Sequence, residues 1–356
     1  MKKIIFFFIP SFLNNAGHES AFISPLLKIS KKKKLSYYFL TQKKNKLKNN
    51  NYNVFYKSSF IILKILDIFR NYFIFTEILK NFKNKKLTIY IDGFSLYDLF
   101  CMLLVSISNN IKLILYVRHK YKNILKKILF KYFINKFQKT NNKIIFLTDT
   151  SIMKKYLKKL KIKTFLLPIP HTIRRNSLQK IILNKKKINI WCPGPIRKEK
   201  YGQNLENFLK KNDKSNFIFN VNNNYLINQK LKEIRFCKLN SNLTRSQYEQ
   251  QFFNNDIIIL PYNSKNYEEK TSGIFVESIS AFKITLVSDK TWMSSELKNF
   301  KLEKFVVKDW NNFNLYNFIN KLDIKYVKKR LLLMRNNYLK FHNEKNFINI
   351  LSYAFK

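Results

Sequence analysis

The sequence predicts an α/β protein made of two Rossmann-like, doubly wound domains, each with a parallel sheet between layers of helices. Two observations support this fold class. Short apolar runs of strand length alternate with stretches in which apolar residues recur at intervals of three and four, and this alternation restarts near the middle of the chain. Continuous apolar strands that alternate with helices are typical of parallel sheets buried on both faces.

The first half of the chain supplies one such domain. Its helix-period stretches include Ser58–Phe82 and Lys122–Gln138. A patch rich in Asn and Lys, Lys43–Asn53, is predicted to be a solvated loop. The predicted strands are Lys3–Ile9, Leu35–Leu40, Leu87–Ile91, Ile111–Val117, Lys143–Leu147 and Thr164–Leu167.

The second half repeats the pattern after an interruption. Pro168 and Pro170 end the last strand, and a polar, basic stretch follows from Arg174 to Lys187. The second set of predicted strands is Lys187–Trp191, Asn216–Val221, Glu233–Leu239, Asp256–Leu260, Ile284–Val287 and Lys304–Val307. We therefore predict an N-terminal domain at 1–172, a linker at 173–186, a second domain at 187–323 and a C-terminal helical segment at 324–356.

No segment of the sequence predicts a cleaved leader or a membrane span. MKKIIFFFIP has the charge of a signal peptide, but its apolar stretch, Ile4–Ile9, is shorter than the usual roughly 7 to 15 residues and no cleavage site follows. Charged or amide residues interrupt the longest apolar regions, Phe60–Leu79 and Leu99–Val117, before about 20 apolar residues accumulate. We expect a buried first strand and a cytoplasmic protein.

The composition is strongly basic. The 356 residues include 68 Lys and Arg against 21 Asp and Glu, a net charge of +47, and 46% are hydrophobic. That apolar content excludes a disordered basic tail. The abundant Lys, Asn, Ile, Phe and Tyr have AT-rich codons, so a biased genome could produce the charge, although it would still attract anionic lipid, nucleic acid or phosphorylated ligands. The widely spaced Cys101, Cys192 and Cys237 exclude a disulfide scaffold and a zinc ribbon.

The segment with the most chemical information is YEEKTSGIFVES, which follows the strand DIIILPY. Ser272 can cap the helix that starts here, so the backbone N–H groups of Gly273 and Ile274 would point out of the sheet edge and bind an anion. The alternative is an ordinary capped helix in which Glu269 and Glu277 are solvated carboxylates.

Glu269-KTSGIFV-Glu277 resembles the E-x7-E motif of retaining, family-four-like glycosyltransferases of the GT-B fold. The resemblance extends to IWCPGPIRKEKYGQNL at the start of the second domain and to NNAGHESAF, FLTDTS and FLLPIP in the first. It thus covers nearly the whole chain. It implies two Rossmann-like domains that face each other across a cleft, with a C-terminal helix.

The resemblance also implies roles for particular residues. Arg197 and Lys200 would hold the diphosphate of a nucleotide-sugar, Glu277 would accept hydrogen bonds from the ribose, and Glu269 would lie at the donor sugar as a catalytic residue. The remaining implied site residues are backbone donors at Thr271, Ser272, Gly273 and Ile274, donor contacts at Gly17 and His18, and a catalytic His119.

Alternatives remain for several of these residues. His18 and His119 could be structural surface histidines, and Arg118 could act in place of His119. The family usually has Gly where this chain has Phe282, so we expect that turn to differ locally. No D-x-D pair and no His or Cys cluster is present, so neither a metal nor another cofactor is expected.

The predicted function is transfer of a sugar from a nucleotide-diphosphate-sugar to a glycan or lipid-linked acceptor, with retention, in cell-envelope polysaccharide biosynthesis. Basic and aromatic residues at Lys122–Lys139 suit an anionic surface, so the protein could attach peripherally to the inner face of the cell membrane. The alternative for that helix is core packing with a solvated basic face. An α/β protein that binds nucleic acid, without a recognisable motif for it, and an inactive transferase-like protein are the other hypotheses.

Overall fold

A computed structural model of the chain divides into two compact units. Unit 1 comprises Met1–Pro170 and Glu344–Lys356, and unit 2 comprises His171–Asn343. Most of the predicted linker, 174–180 and 182–186, lies outside the described residues. The structure describes residues 4–9, 18–32, 36–41, 51–53, 61–82, 85–92, 94–106, 111–121, 123–139, 143–173, 181, 187–201, 203–222, 235–240 and 243–355.

Unit 1 contains a parallel sheet of seven strands in the order β3-β2-β1-β4-β5-β6-β7. The interior strand β1 is buried along its whole length, as the apolar run at the start of the chain predicts. The strands are β1 Ile4–Phe8, β2 Ser36–Thr41, β3 Asn51–Asn53, β4 Leu87–Asp92, β5 Ile111–Tyr116, β6 Lys143–Thr148 and β7 Thr164–Leu166.

The edge strand β3 corrects one prediction. Asn51–Asn53 falls within Lys43–Asn53, which the sequence predicts to be a loop, whereas 43–50 lie outside the described residues. β3 pairs with β2 through the backbone, with Asn51 opposite Phe39. A short edge strand needs no apolar side chains for this pairing, so hydrophobic patterning does not reveal it.

Helices cover both faces of the unit 1 sheet. Side chains alternate along β1, so Phe6 and Phe8 join a core with α2 to α5, while Ile5 and Phe7 join a core with α1 and the last helix of the chain, α14. No helix in the described ranges is both long and apolar enough to cross a bilayer. The helices of this unit are α1 His18–Lys32, α2 Ile61–Asn81, α3 Leu96–Ser106, α4 Ile124–Lys139, α5 Ser151–Lys159 and α14 Glu344–Phe355.

Unit 2 contains a second parallel sheet, of six strands, in the order β10-β9-β8-β11-β12-β13. These strands are β8 Ile188–Trp191, β9 Phe217–Asn222, β10 Arg235–Leu239, β11 Ile257–Leu260, β12 Ile284–Ser288 and β13 Val306–Val307. Its helices are α6 Lys198–Tyr201, α7 Asn204–Lys211, α8 Arg245–Asn254, α9 Ser264–Tyr267, α10 Gly273–Ser280, α11 Trp292–Asn299, α12 Leu315–Asn320 and α13 Ile324–Phe341, with a 3-10 turn at Glu303–Phe305. The two predicted α/β halves are confirmed.

The C-terminal segment forms two helices where the sequence suggests one. α13 ends before His342, whose backbone is extended (φ −81°, ψ 98°) and whose N–H donates to the Tyr338 carbonyl at 2.6 Å. α14 then packs on α1, and Phe355 contacts the ring of Phe7 at 6.2 Å between centroids. The last helix therefore completes unit 1, although it follows unit 2 in the chain.

Several helices end on a left-handed residue that is not glycine. Phe282 (φ 62°), Lys161 (φ 62°) and Lys301 (φ 57°) each follow a helix C-cap. At Phe282 its own N–H donates to the Ile279 carbonyl at 3.0 Å, and the next N–H donates to the carbonyl of Ser278 at 3.0 Å. This is the turn that glycine usually forms, so the expected local difference is absent and Phe282 bears a strain of about 1–2 kcal/mol.

Candidate active site

The predicted donor-side residues lie at one edge of the unit 2 sheet. β8 has β9 on one side and β11 on the other, so the connections that leave β8 and β11 diverge between these two strands. Ligands of open α/β sheets bind at the carboxyl ends of strands at such a switch point. The loop 192–197 follows β8, and the connection 261–272, which includes the short helix α9, follows β11, so both predicted motifs lie there.

Gly194 brings the two motifs into contact. It has φ +84°, and a Cβ built on it would lie 3.6 Å from Cδ1 of Ile274 and 3.8 Å from Nζ of Lys200. The loop after β8, the lysine of α6 and the first turn of α10 therefore meet within van der Waals distance. A side chain at position 194 would fill the space between the ammonium group and the helix start.

Lys200 is the buried cation of this site. It is 7% exposed, and its Nζ lies 4.3 Å from the ring centroid of Tyr262 and 5.0 Å from that of Tyr201. Within the described part of the chain no carboxylate forms an ion pair with it. Burial lowers the pKa of Lys200, and the charge of Arg197 contributes in the same direction. The two predicted phosphate-binding cations thus influence each other.

The neighbouring aromatic residues hold this lysine in place. The rings of Tyr201 and Tyr262 meet edge to face at 5.4 Å, and Tyr262 contacts Tyr267 at 4.5 Å. The Tyr201 hydroxyl donates to the Pro193 carbonyl at 3.1 Å. The backbone of α6 is also tied to the loop after β11, because the Asn263 N–H donates to the Lys200 carbonyl at 2.7 Å.

α10 begins beside Lys200 as predicted. The Ser272 hydroxyl accepts from the N–H of Phe275 at 3.2 Å and caps the helix, whose first residues are Gly273 and Ile274. The first N–H groups of a helix have no partner within it and carry partial positive charge. Just before the helix, Thr271 is half-buried and Glu269 is buried.

Glu277 lies one turn into α10 and is 0% exposed. Its Oε1 accepts from Nη1 of Arg245 at 2.5 Å, and its Oε2 accepts from the Tyr248 hydroxyl at 2.8 Å. Nε2 of His171 lies 3.9 Å from Oε1. In this structure α8 therefore supplies hydrogen-bond partners of the carboxylate to which the resemblance assigns the ribose.

Sequence reasoning missed the partners of Glu277. Arg245 and Tyr248 sit in the first turns of α8, and Arg245 also pairs with Glu249 at 2.6 Å. His171 directly follows Pro170, and burial, together with the charge of Arg245, lowers its pKa to about 4. A neutral imidazole can accept or donate a hydrogen bond but adds no charge. The capping box of α8 is a local signal for that helix, but not for the contact with Glu277.

Two of the unit 1 candidates, His18 and His119, lie at the corresponding edge of the other sheet. Gly17 lies outside the described residues, and His18 is the first residue of α1. His119 follows β5, is exposed, and its ring lies 5.9 Å from that of Tyr121. The roles of Gly17, His18 and His119 stay predictions.

Arg118 takes part in a polar cluster at this edge. It pairs with Asp92, at the end of β4, at 2.9 Å, and its guanidinium lies 4.3 Å from the ring centroid of Tyr116. The Tyr116 hydroxyl donates to Asp149 at 3.0 Å. Burial raises the pKa of Asp92, against the opposing effect of Arg118. The ends of three neighbouring strands therefore form one polar network.

The described residues contain no group of three or more His, Cys, Asp or Glu side chains placed to hold a metal ion. The unit 2 edge brings together cations, backbone N–H groups and aromatic rings beside the carboxylates of Glu269 and Glu277. Such a set fits a phosphorylated ligand.

Comparisons with known proteins agree with the fold. No protein-family model and no curated protein sequence matches this chain. Among solved structures, a glycosyltransferase from Rickettsia africae ESF-5 is 14% identical with a TM-score of 0.68, covering 100% of this chain and 98% of that one. The lipopolysaccharide outer core galactosyltransferase WaaB is 11% identical with a TM-score of 0.65, over 99% and 98% of the two chains.

WaaG, a glycosyltransferase involved in lipopolysaccharide biosynthesis, is 10% identical with a TM-score of 0.56, over 99% of each chain. The likeness spans both units in every case. The protein thus has the two-domain GT-B fold that the sequence predicts.

Proposed function

We propose that the protein is a glycosyltransferase that moves a sugar from a nucleotide-diphosphate-sugar to a glycan or lipid-linked acceptor of the cell envelope. The observation that carries this proposal is Lys200, a buried ammonium without a carboxylate partner among the described residues, next to Gly194 and the start of α10. A buried charge is costly unless something compensates it, and a diphosphate would do so. The likeness to WaaB and WaaG supports the choice of reaction and acceptor class.

The chemistry of leaving-group stabilisation follows from the same residues. When the bond between the anomeric carbon and the donor phosphate breaks, negative charge develops on the phosphate oxygen. Lys200 and Arg197 provide cationic donors, and the first N–H groups of α10 add fixed dipoles. These groups interact more strongly with the departing diphosphate than with the intact donor, which lowers the barrier.

We assign retention and metal independence to this transfer, in accordance with the E-x7-E resemblance. The acceptor oxygen forms its bond to the anomeric carbon on the face that the phosphate leaves. The acceptor proton passes to the departing phosphate oxygen, so no separate protein base and no metal are required. Glu269 lies next to the donor sugar in this assignment, where its carboxylate orients the sugar.

The ribose contact of Glu277 requires a change of partner. Arg245 is half-exposed and covers Oε1 of the carboxylate. A ribose hydroxyl would take the place of the Arg245 Nη1 group while Tyr248 keeps the other oxygen. Donor binding would then release Arg245 from Glu277 and leave it paired with Glu249.

The test is a thermal-shift screen of nucleotide-sugars, followed by an assay of donor hydrolysis and transfer with the best ligand. Arg197→Ala is expected to weaken donor binding, whereas Glu269→Gln is expected to lower turnover with a smaller change in binding. Lys211→Met, on the exposed side of α7, is the control that removes a positive charge elsewhere. The proposal fails if no nucleotide-sugar stabilises the protein and neither variant differs from the control.

A further inference from the structure

The helix layer on one face of the unit 1 sheet exposes large apolar side chains to solvent. Helices α2, α3 and α4 contribute to the same core, so they cover the same face of the sheet. On the opposite side of α4, Ile124 is 76% exposed and Ile128 57% exposed. On α2, Phe73 is 67% exposed and Phe69 lies one turn before it. We call the outward surface of these three helices the outer face.

The outer face is continuous across the helices. Phe100 of α3 contacts Phe133 of α4 at 5.7 Å between ring centroids, so these two helices pack side by side. Tyr97, one turn before Phe100, is also exposed. A soluble monomer rarely exposes a large contiguous apolar patch unless the patch binds something.

The charges on the outer face are mostly positive. Lys126, Lys131 and Lys136 are exposed on α4 among the apolar side chains, and the ammonium of Lys136 lies 5.6 Å from the ring centroid of Tyr132. The described carboxylate on the exposed side of α2 is Glu77. Apolar side chains interleaved with lysines match the boundary between acyl chains and anionic head groups in a bilayer.

We infer that the outer face binds an anionic lipid bilayer, with the apolar side chains of α4 and α2 among the acyl chains and the lysines at the head groups. Lysine side chains are long enough to keep their ammonium groups at the head groups while the helix lies in the interface. This arrangement explains both halves of the pattern, because the apolar side chains leave water and the lysines approach phosphate. The binding requires no sugar donor and does not depend on the proposed function.

Other partners fit the outer face less well. A second copy of the chain would bring lysine-rich surfaces together, and like charges repel. A nucleic acid would compensate the lysines, but it offers no apolar environment for Ile124 and Ile128. A membrane is therefore the partner whose chemistry suits both components.

Helix α5 provides an internal control, since it belongs to the same layer and is also basic. Its exposed residues include Lys154, Lys155, Lys158 and Lys159, but no large apolar side chain of α5 is exposed. A protein attracted to lipid by charge alone would use both helices equally. A protein that inserts the outer face would depend on α4.

The test is flotation of the full chain with vesicles of phosphatidylcholine, with or without phosphatidylglycerol. The protein is expected to float with the mixed vesicles only. Lys126→Gln with Lys131→Gln should weaken binding at least about tenfold. Lys154→Gln with Lys158→Gln has the same charge change and should bind almost as the unchanged protein does. Equal loss in both pairs would overturn the inference.

A second measurement detects insertion directly. The tryptophans at 191, 292 and 310 are all buried in unit 2, so a tryptophan placed on the outer face can be followed against a constant background. The emission of Ile128→Trp should shift to the blue on mixed vesicles and be quenched by brominated acyl chains. An unchanged emission on vesicles contradicts insertion.

A further variant separates the membrane from the other partners. Ile124→Ser with Ile128→Ser changes exposed side chains, so folding should be preserved, and vesicle binding should fall about a hundredfold. If the unchanged protein instead forms a dimer that this variant dissociates, without vesicle binding, the outer face is a self-interface and the inference is wrong. Binding to RNA in preference to mixed vesicles would likewise overturn it.

Discussion

A cation lies at the carboxyl edge of each sheet, and the two cations differ in their partners. In unit 1, Arg118 is paired with Asp92 at 2.9 Å and stacked on Tyr116. In unit 2, Nζ of Lys200 lies 5.0 Å from the ring centroid of Tyr201 and 4.3 Å from that of Tyr262, and no described carboxylate pairs with it. Both edges have parallel strands and similar connections, so the difference comes from a few side chains rather than from the fold.

This difference in pairing affects how strongly each cation can attract an anionic ligand. A cation that is already paired offers little further attraction, because binding a ligand would first require breaking the pair. An ammonium surrounded by rings has lost water and gained only the weak attraction of the ring faces. Under the proposed function, an anionic ligand is therefore attracted more strongly by Lys200 at the unit 2 edge than by Arg118, which is already paired at the unit 1 edge.

The largest expected effect comes from removing the unpaired cation. Lys200→Met keeps most of the side-chain volume and is expected to weaken nucleotide-sugar binding about a hundredfold, since hydrogen bonds to charged groups are worth about 1.5–3 kcal/mol each. Burial lowers the pKa of Lys200, so its charge destabilises the folded state at pH values below its ordinary pKa. The same variant should therefore unfold at a higher temperature than the original protein when no ligand is present.

Titration calorimetry with the donor and a thermal melt without it measure both parts of this prediction. Lys211→Met is the control for each. A variant that loses affinity and also loses stability would show that Lys200 is a structural residue, and the contrast between the two edges would disappear.

The next effect is a loss of folding stability at acidic pH through two buried histidines of unit 2, one of which lies near the charge of Arg245. Burial lowers the pKa of His171 to about 4 and that of His342 to about 3. Since the folded pKa lies below the unfolded one, each neutral histidine supports the fold above pH 6.5 and loses that contribution as the pH falls toward the folded value. By pH 5 the loss amounts to about 2 kcal/mol for each histidine.

Urea unfolding at pH 7 and pH 5 measures this loss. His171→Gln should reduce the difference between the two pH values by about half of the histidine contribution. If the difference is the same in the variant, then the pKa of His171 is not lowered in the folded protein, and burial and the charge of Arg245 do not act on this histidine as described.

A comparable change in folding stability is expected at the unit 1 edge, where Arg118 is paired with Asp92. Asp92→Asn removes the charge that pairs with the partly exposed Arg118 and should lower the free energy of unfolding by about 1–3 kcal/mol. Donor affinity should stay unchanged, in contrast to Lys200→Met. Urea unfolding and calorimetry measure the two quantities, with Glu303→Gln on an exposed turn as the control. A large loss of donor affinity would mean that the unit 1 edge also binds the nucleotide.

The smallest effects are expected at the left-handed helix ends, where the two units again differ. Lys161 in unit 1 is exposed, so Lys161→Gly should remove strain and raise the free energy of unfolding by about 1 kcal/mol. Phe282 in unit 2 is buried, and Phe282→Gly would lose about 1.5–3 kcal/mol of burial against a similar or smaller relief of strain. In thermal melts, Lys161→Gly should raise the melting temperature and Phe282→Gly should lower it. A change in the same direction for both variants would refute this explanation.

The sequence was sufficient for most of the fold because each interior strand is a continuous apolar run. The resemblance implied one site for Arg197, Lys200 and the start of α10, and the structure has all three at one sheet edge, while their roles stay predictions. The strand prediction failed at β3, whose backbone pairing leaves no hydrophobic pattern. Strands were predicted from the apolar side chains that a buried strand requires, and a short edge strand such as β3 does not require them.

The partners of Glu277 and of Arg118 could not be predicted for a different reason. Arg245 and His171 lie far from Glu277 in the chain, and Asp92 belongs to a different strand from Arg118. Long-range pairs depend on helix orientation and side-chain rotamers, which local patterns do not determine. The exposure of side chains could not be predicted either. The spacing of apolar residues in α4 predicts one buried face, but it does not predict that apolar residues on the opposite face are exposed.

The return of α14 to unit 1 has a consequence for biosynthesis. Phe347, Leu351 and Phe355 fill the core on one side of β1, yet they leave the ribosome after all of unit 2. Unit 2 has its complete core earlier and can fold while the chain is still being made. Until α14 has emerged, one side of the unit 1 sheet lacks part of its cover, and aromatic side chains such as Phe7 stay exposed.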